Sequence, residues 1–381
     1  MSISIPNQPI RTAPPVHSTA TAQAVAPVLT PVDLSPTKPR NNRAKAETTT
    51  APPTTAEVFP TGHSAPQATG IGQLADALQP KITPKSGWRS IVYRSTGGRI
   101  NPGESKKQQR QRDIYQRIRQ HISGDYRVAV LSLKGGVGKT TTTFGLGATF
   151  ATLRGDRVIA IDANPDFGTL AQRLGSAVAN PANPTVRDLL SADDTSRYPQ
   201  VRAFTSQDAT RLEVLASEQD PSTAQAFNAA DYAQAMGIVR HHYNLILTDC
   251  GTGLMHSAMT GVLELANCLV LVTTPSLDGA NSAWATLDWL AAHGHAGLVS
   301  QTVVVVNHLR AKDELTDAQV HDVFGQRCRA VVPVPFDPHL ARGAEIDLAA
   351  MKPATQEAYR QLAAYVADDF AQPSGRRHRM A

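Results

Sequence analysis

Short apolar runs recur from about residue 125 onwards, and segments with helical periodicity separate them. The runs are Arg127–Leu133, Arg157–Ile161, Leu212–Leu215, Asn244–Thr248, Cys268–Val272 and Thr302–Val306. Near-continuous runs of Val, Ile and Leu between helical segments are typical of a parallel sheet that helices cover on both faces. The pattern therefore predicts a doubly wound, mostly parallel α/β domain over about residues 125–372, ending in a helix near Pro353–Phe370.

A long N-terminal region lacks this pattern. Residues 1–86 contain fourteen of the 26 prolines and are otherwise rich in Ala and Thr. Such a stretch cannot bury enough apolar surface to offset the chain entropy that folding removes. We therefore predict a disordered arm over residues 1–86. A short basic tail, residues 373–381, is expected after the α/β domain.

Residues 87–124, between the arm and the α/β domain, differ from both. Trp88 stands among basic residues, and Ser105–Ile122 has the periodicity of an amphipathic helix. Its apolar face carries Ile114 and Ile118, and Lys and Arg occupy much of the remaining surface. Packing on the α/β domain, on nucleic acid and on an anionic membrane are three alternatives for this helix.

The net charge of +5 conceals two regions of opposite sign. Residues 1–124 carry sixteen Lys and Arg against six Asp and Glu, a balance of +10, so residues 125–381 sum to −5. The basic character therefore belongs to the arm and the segment that follows it, whereas the α/β domain is acidic.

The cysteines and the hydropathy pattern limit the class of protein. Cys250, Cys268 and Cys328 lie in unrelated contexts without a CxxC pair, and they support neither a disulfide framework nor a zinc site. The first thirty residues lack the apolar core of a signal peptide. No run reaches the roughly 18 apolar residues that a membrane span needs. We therefore expect the chain to fold in the reducing cytoplasm.

A glycine-rich loop links the first apolar run to a helical segment. It reads Lys134-Gly135-Gly136-Val137-Gly138-Lys139-Thr140-Thr141. Glycines allow backbone amides to turn inward around phosphate oxygens, and the N-terminus of the following helix adds partial positive charge. Lys139 is expected to reach the β- and γ-phosphates of a nucleotide, and the Thr140 hydroxyl to bind Mg²⁺. The residues from Gly135 to Thr141 are therefore predicted to bind a nucleotide.

The loop resembles the deviant Walker A motif of the ParA/MinD superfamily, KGGxGK[ST], which residues 134–140 match at every position. The distinguishing residue is Lys134, ahead of the first glycine. In that superfamily the additional lysine crosses a dimer interface to the partner's nucleotide. The resemblance implies a P-loop ATPase that binds ATP and Mg²⁺ and forms an ATP-dependent homodimer, with Lys134 and Lys139 acting on the nucleotide.

Two later segments resemble the switch regions of the superfamily. Asp162 directly follows the second apolar run, in a segment that is similar to switch I. Asp249 directly follows the fourth run and begins a segment that is similar to switch II. The resemblance implies that both aspartates help to hold Mg²⁺. It also implies that the amide of Gly251 faces the γ-phosphate.

Asn164 departs from the switch I pattern. The superfamily has an aspartate at this position that positions or activates the attacking water, whereas an asparagine can orient water but cannot accept its proton. Because phosphoryl transfer depends mostly on positioning and charge stabilisation, we expect slow rather than absent hydrolysis. Asp166, two residues later, is the candidate for a substitute carboxylate.

The late part of the domain resembles the adenine site of the superfamily. Asn307 follows the last apolar run, as does the strand-end asparagine that contacts adenine in that superfamily. Pro335 belongs to a segment that is similar to the loop closing over the base. A buried strand-end asparagine that caps a loop is the alternative for Asn307. Since no NKxD guanine motif is present, the resemblance implies ATP rather than GTP.

Within the superfamily, the chain is most similar to the actinobacterial MinD-like ATPases associated with type VII (ESX) secretion. The resemblance rests on the arm, the Trp88 segment, the basic helix, the deviant P-loop, and residues 154–162 and 249–253. It implies a switch that regulates or positions a partner complex, whose proteins bind the arm. A DNA-partitioning ATPase is the alternative, since a basic arm also suits non-specific DNA. Residues 374–381 have no apolar face, so a C-terminal membrane helix is not supported.

Overall fold

The computed structural model describes residues 83, 88–101, 103–164, 168–175, 178–218, 227–310 and 313–371. Three predictions fall outside these ranges. They are the carboxylate of Asp166, the basic C-terminal tail and the disordered arm, of which only Thr83 is described.

A sheet of eight strands forms the centre of the described structure. Its strands are β1 (Tyr126–Leu131), β2 (Val158–Ala163), β3 (Ser206–Gln207), β4 (Glu213–Leu215), β5 (Leu245–Cys250), β6 (Cys268–Thr273), β7 (Val303–Asn307) and β8 (Ala330–Val334). The spatial order is β3-β4-β2-β5-β1-β6-β7-β8. Every neighbouring pair is parallel except β3 with β4. The predicted doubly wound, mostly parallel fold is confirmed.

Helices connect the strands and cover both faces of the sheet. The α-helices of the described ranges are α1 (Trp88–Ser95), α2 (Lys106–Ile118), α3 (Lys139–Leu153), α4 (Val186–Leu190), α5 (Tyr198–Arg202), α6 (Ala229–Val239), α7 (Ser257–Leu265), α8 (Leu277–Ala292), α9 (Ala296–Ser300), α10 (Asp317–Phe324) and α11 (Pro353–Ala367). None of the helices in these ranges is both long enough and apolar enough to cross a bilayer.

The sheet separates two apolar cores, because successive side chains of a strand point to opposite faces. Val128 and Val130 of β1 pack on the face that α2, α3 and α11 cover. Ala129 and Leu131 pack on the other face, which the helices from α4 to α10 cover. Strands that are buried on both faces explain why the apolar runs of the sequence are continuous rather than alternating.

The carboxyl end of β1 lies at a switch point of the sheet. β1 is flanked by β5 and β6. The chain passes from β1 to β2 through α3 on one face, and from β5 to β6 through α7 on the opposite face. Ligand sites of open α/β sheets form where the direction of winding reverses in this way.

The basic helix α2 packs on the α/β domain, one of the three surfaces considered from the sequence. It begins after Ser105, whose Oγ accepts a 3.2 Å hydrogen bond from the amide of Gln108. Ile118 is fully buried in the core beside α11. Arg117 donates two hydrogen bonds of 2.8 Å to the carboxylate of Asp368. Helix α2 is therefore part of the folded domain.

Candidate functional site

The glycine-rich loop leaves the carboxyl end of β1 and turns into α3, which begins at Lys139. Gly136 and Gly138 have φ angles of 75° and 89°, a region that strains any residue with a Cβ atom. Gly135 and Gly136 are exposed, whereas Val137 is buried beneath them. The loop thus lays glycine backbone against the N-terminus of α3, where unpaired amides and the helix dipole favour an anion.

Lys139 is a buried cation that points to the end of β5. Its Nζ lies 2.8 Å from Oδ1 of Asp249, and the hydroxyl of Thr143 donates a 3.1 Å hydrogen bond to the same oxygen. Burial alone lowers the pKa of Lys139. The charge of Asp249 and its hydrogen bond outweigh that effect, so the pKa is raised above its ordinary value and the ammonium stays charged.

Asp162 lies beside Asp249, because the two residues are paired in register between β2 and β5. Its carboxylate accepts hydrogen bonds from the amides of Asn164, at 3.1 Å, and Leu170, at 3.0 Å. Burial and the charge of Asp249 raise the pKa of Asp162 to about 7. Asp162 and Asp249 are two buried carboxylates, and Thr140 is a half-buried hydroxyl in the first turn of α3. Such oxygens suit Mg²⁺, which binds few protein oxygens and completes its shell with phosphate and water.

Lys134 occupies a different environment from Lys139. Its ammonium forms an ion pair with the carboxylate of Asp278 in the first turn of α8, and 45% of the Lys134 side chain is exposed. The pair lies in an open cleft of about 380 Å³ that Gly136, Ser276 and Glu314 also line. One lysine of the loop is therefore enclosed within its own chain, and the other is accessible from outside.

Asn307 connects the end of β7 to the glycine-rich loop. Its side-chain amide donates hydrogen bonds to the carbonyl of Val137, at 2.9 Å, and to the hydroxyl of Thr142, at 3.2 Å. A Cβ atom on Gly138 would lie only 2.6 Å from Nδ2 of Asn307. The side chain thus caps the loop, which is the alternative considered from the sequence.

A small apolar cleft lies on the same side of the loop. Its volume is about 70 Å³, and its lining includes Thr141, Asn307, Leu309, Pro335, Phe336 and Tyr359. Pro335 directly follows β8, and so it borders the cleft from the neighbouring strand. A cleft between a phosphate loop and a proline-containing turn is a suitable position for a planar base.

The residues of the two segments that resemble switch I and switch II lie at the carboxyl ends of β2 and β5. Gly251 follows β5 directly and is buried. Asn164 follows β2 and lines a cavity of about 20 Å³ together with Glu218, which accepts a hydrogen bond from the hydroxyl of Thr185. Asp166, the other predicted carboxylate, lies outside the described residues.

Sequence reasoning overlooked three of these residues. Thr143 is four residues after Lys139, so helical periodicity places both on one face and a signal for it existed. Asp278 lies 144 residues from Lys134, and nothing local connects the two. Glu218 follows a short strand in a loop without a motif. The predicted residues Lys139, Asp162 and Asp249 and these additions meet along the carboxyl edge of the sheet.

Comparison with known proteins agrees with this geometry. The profile of the CobQ/CobB/MinD/ParA nucleotide binding domain matches residues 128–347. The ESX-1 secretion-associated protein EspI of Mycobacterium tuberculosis is 38% identical over 302 residues, which are 78% of this chain and 44% of EspI. The chain therefore spans less than half the length of that relative. The septum site-determining protein MinD of Synechocystis is 30% identical over 183 residues, or 48% of this chain and 64% of that protein.

Two solved structures show the same fold. A ParA family ATPase from Chlorobium tepidum superposes with a TM-score of 0.54 at 19% identity, covering 63% of this chain and 98% of that one. MinD from Pyrococcus horikoshii, complexed with Mg-ADP, gives a TM-score of 0.50 at 21% identity, covering 66% and 98%. With the profile match over more than half of its length, the chain belongs to the CobQ/CobB/MinD/ParA nucleotide-binding domain family.

Proposed function

We propose that the chain binds Mg-ATP, hydrolyses it slowly and uses the nucleotide to switch between a monomer and a homodimer. One observation carries the proposal: the loop holds a buried lysine against paired carboxylates and an accessible lysine at its mouth. Lys139 and Asp249 are 2.8 Å apart inside the chain, whereas Lys134 lies on an open cleft. The first arrangement suits a nucleotide in the same chain, and the second suits contact with another chain.

The residues of the site then have separate roles. Lys139 neutralises the β- and γ-phosphates, and the loop from Gly135 to Thr141 surrounds them. Thr140, Asp162 and Asp249 would hold Mg²⁺, which supplies charge neutralisation for phosphoryl transfer. The likeness to a MinD protein complexed with Mg-ADP supports the binding of a nucleotide together with Mg²⁺.

Slow hydrolysis follows from the polar groups beside Asp162. Asn164 orients a water through its amide but takes no proton from it. Glu218 lines the same cavity and is a described carboxylate close to this position. Asp166 remains a further candidate. Gly251, directly after Asp249, donates its amide toward the γ-phosphate in this proposal.

The adenine ring occupies the cleft between the loop and Pro335. Asn307 serves two purposes there, because its amide already binds the loop carbonyl of Val137 while its side chain borders the cleft. The base and the phosphates are thereby recognised through a shared residue, so ATP binding orders both parts of the site together.

The partner complex is proposed to belong to type VII secretion. The match to EspI extends over 302 residues, or 78% of this chain. The nucleotide-binding profile covers only residues 128–347. Similarity therefore continues into the segments outside the shared nucleotide-binding domain, where contacts with specific partners are expected. In this proposal the chain acts in the cytoplasm and the arm, residues 1–86, binds proteins of the secretion apparatus. DNA partitioning is the alternative.

The proposal is tested by light scattering of the full chain after size exclusion. With ATP and Mg²⁺ we expect the mass of a dimer, and with ATP and a chelator the mass of a monomer. Lys139→Ala should remain monomeric under both conditions, because the nucleotide no longer binds. A mass that does not respond to Mg-ATP, together with the absence of nucleotide binding by calorimetry, would disprove the proposed switch.

A further inference from the structure

Helix α1 turns two large apolar side chains outward, and the nucleotide site does not use them. Trp88 is 66% exposed and Ile91 is 69% exposed. They are three residues apart, so they share one face of the helix. Ser90, on the opposite face, is buried. The helix therefore turns Trp88 and Ile91 away from the side on which Ser90 is buried and Tyr93 is half-buried.

This helix is fixed to the domain through α2. The guanidinium of Arg89 donates a 2.9 Å hydrogen bond to the carbonyl of Glu104. The carboxylate of Glu104 in turn forms a 2.8 Å ion pair with Arg112 of α2. These two contacts connect α1 to α2, which is packed on α11.

Exposed cations accompany the apolar pair. They are Arg94, Arg99, Lys106, Lys107 and Arg110, and none of the ion pairs formed among the described residues involves them. Residues 88–119 contain nine Lys and Arg against the two acidic residues Glu104 and Asp113. Glu104 is already paired internally. Arg94 follows Ile91 by three residues and therefore shares the face of α1 that carries Trp88 and Ile91, within a segment that is strongly cationic.

We propose that the face of α1 formed by Trp88, Ile91 and Arg94 docks on an anionic lipid bilayer, and that the other four exposed cations of this segment add to the attraction. The cations bind headgroup phosphates, and Trp88 and Ile91 enter the interfacial layer. Tryptophan is enriched at membrane interfaces, where its ring is partly apolar and its N–H meets polar groups. Each Lys or Arg close to an anionic leaflet adds about 1 kcal/mol of attraction, or about a fivefold gain in affinity.

The apolar pair favours lipid over nucleic acid as the occupant. Neutralisation of duplex DNA phosphates requires cations alone, and although a tryptophan can stack on an unpaired base, such stacking gives no role to the exposed Ile91 beside it. An anionic bilayer binds both the cations and the apolar pair, because it has anionic phosphates at its surface and an apolar layer beneath them. This inference does not depend on the nucleotide switch, so the two can fail separately.

Sedimentation with vesicles tests the docking surface in the full chain. We expect the protein to bind vesicles of phosphatidylglycerol and phosphatidylcholine and to leave pure phosphatidylcholine vesicles unbound. Arg94→Gln should weaken binding about fivefold. Arg197→Gln, which removes an exposed cation at the start of α5, is the matched control and should bind as the wild type does. Trp88→Ala should weaken binding about tenfold or more through the lost apolar contact.

Tryptophan emission provides a second measurement that separates insertion from simple charge attraction. Anionic vesicles should shift the emission of the wild type to shorter wavelength, and Trp88→Phe should remove that shift. Trp289→Phe, at a partly buried position in α8, should retain it. Since Trp88 and Arg94 are exposed, we expect unchanged thermal unfolding of the variants, which will confirm that they are folded.

Three outcomes would overturn the proposal. Equal binding to anionic and neutral vesicles would remove the role of the cations. Equal vesicle affinity of the wild type and Trp88→Ala would remove insertion. The surface would be assigned to nucleic acid instead if the protein bound duplex DNA, if Arg94→Gln weakened that binding, and if anionic vesicles did not release the DNA.

Discussion

The ammonium of Lys134 and the carboxylate of Asp278 form an ion pair within a single chain, although 144 residues separate them. Both side chains are exposed, Asp278 to 77%. Exposed ion pairs contribute about 0 to 1 kcal/mol, because solvent screens the charges and the long side chains lose entropy. Lys134 can therefore exchange this carboxylate for a phosphate at little cost.

Substitutions of Lys134 and Asp278 should therefore have different effects on dimerisation. Lys134→Ala should abolish the Mg-ATP-dependent dimer, because the accessible cation of the loop is lost. Asp278→Asn should retain the dimer, and its midpoint should shift by less than about fivefold, in line with the small worth of an exposed pair. Light scattering over a range of protein concentrations measures both. A dimer of normal affinity in Lys134→Ala would contradict the proposed contact.

Asn307→Ala should weaken ATP binding, because the buried carbonyl of Val137 loses its donor. An unsatisfied buried acceptor costs about 1 to 3 kcal/mol. If this cost falls on the nucleotide-bound state of the loop, ATP affinity drops by about five- to 150-fold. Isothermal titration calorimetry measures the dissociation constant of ATP. Asn267→Ala, which removes the acceptor of a 2.9 Å hydrogen bond from the amide of Arg127, is the control. It should lower stability but leave ATP affinity unchanged.

Gly138→Ala should lower both thermal stability and nucleotide affinity. The φ of 89° is unfavourable for alanine by about 1 to 2 kcal/mol, and the new Cβ would meet Nδ2 of Asn307 at 2.6 Å. Gly155→Ala has open space around the new atom and no left-handed φ, so it should behave as the wild type. Equal melting temperatures for the two variants would show that the loop geometry is not constrained as described.

Asn164→Asp should accelerate hydrolysis, because a carboxylate can accept the proton that the amide cannot. General base catalysis contributes about 10² to 10⁴-fold where it is optimal, so we expect the hydrolysis rate to increase by about 10²-fold or less. Single-turnover hydrolysis with Mg-ATP is the measurement. Glu218→Gln in the wild-type background should slow the residual reaction, and an unchanged rate would exclude that carboxylate. ATP affinity should stay constant in both variants.

Packing beneath the site is tested by two glycines in helices. A Cβ on Gly145 of α3 would lie 2.6 Å from the ring of Tyr359 in α11, so Gly145→Ala should destabilise the fold by about 1 to 3 kcal/mol through overpacking. Gly237 of α6 has no atom within 4 Å of the new Cβ. Gly237→Ala should therefore stabilise by about 0.5 to 1 kcal/mol, through helix propensity alone. Denaturant unfolding distinguishes the opposite signs.

The central strands and the phosphate loop were predictable because their signals are local. The run Arg127–Leu133 corresponds to β1 at Tyr126–Leu131, and the deviant loop follows it directly. The register that places Asp162 beside Asp249 follows from two apolar runs ending in aspartate, since parallel strands align their carboxyl ends. Buried strands and glycine loops tolerate few residue types, so they leave clear patterns.

Other features leave no such pattern. The edge strand β8 contains Pro333, which is tolerated at an edge but interrupts the apolar run in the sequence. Helix α1 is short and polar on average, and its position depends on the bond from Arg89 to Glu104. The contacts of Lys134 and Asn307 join segments that are distant in sequence. Tertiary packing decides each of these, and periodicity carries no information about it.

The docking of α2 has a practical consequence for fragments of this protein. Ile118 belongs to the core, and the buried guanidinium of Arg154 donates a 2.8 Å hydrogen bond to the carbonyl of Gln120, just after the helix. An expression fragment that starts at β1 would expose the apolar side of α11. It would also leave the buried guanidinium of Arg154 with Asp156 but without the backbone carbonyls of Ile118 and Gln120. Recombinant truncations that aim at the nucleotide-binding domain alone should keep the chain from about Ser105 onwards, or they will yield aggregated material.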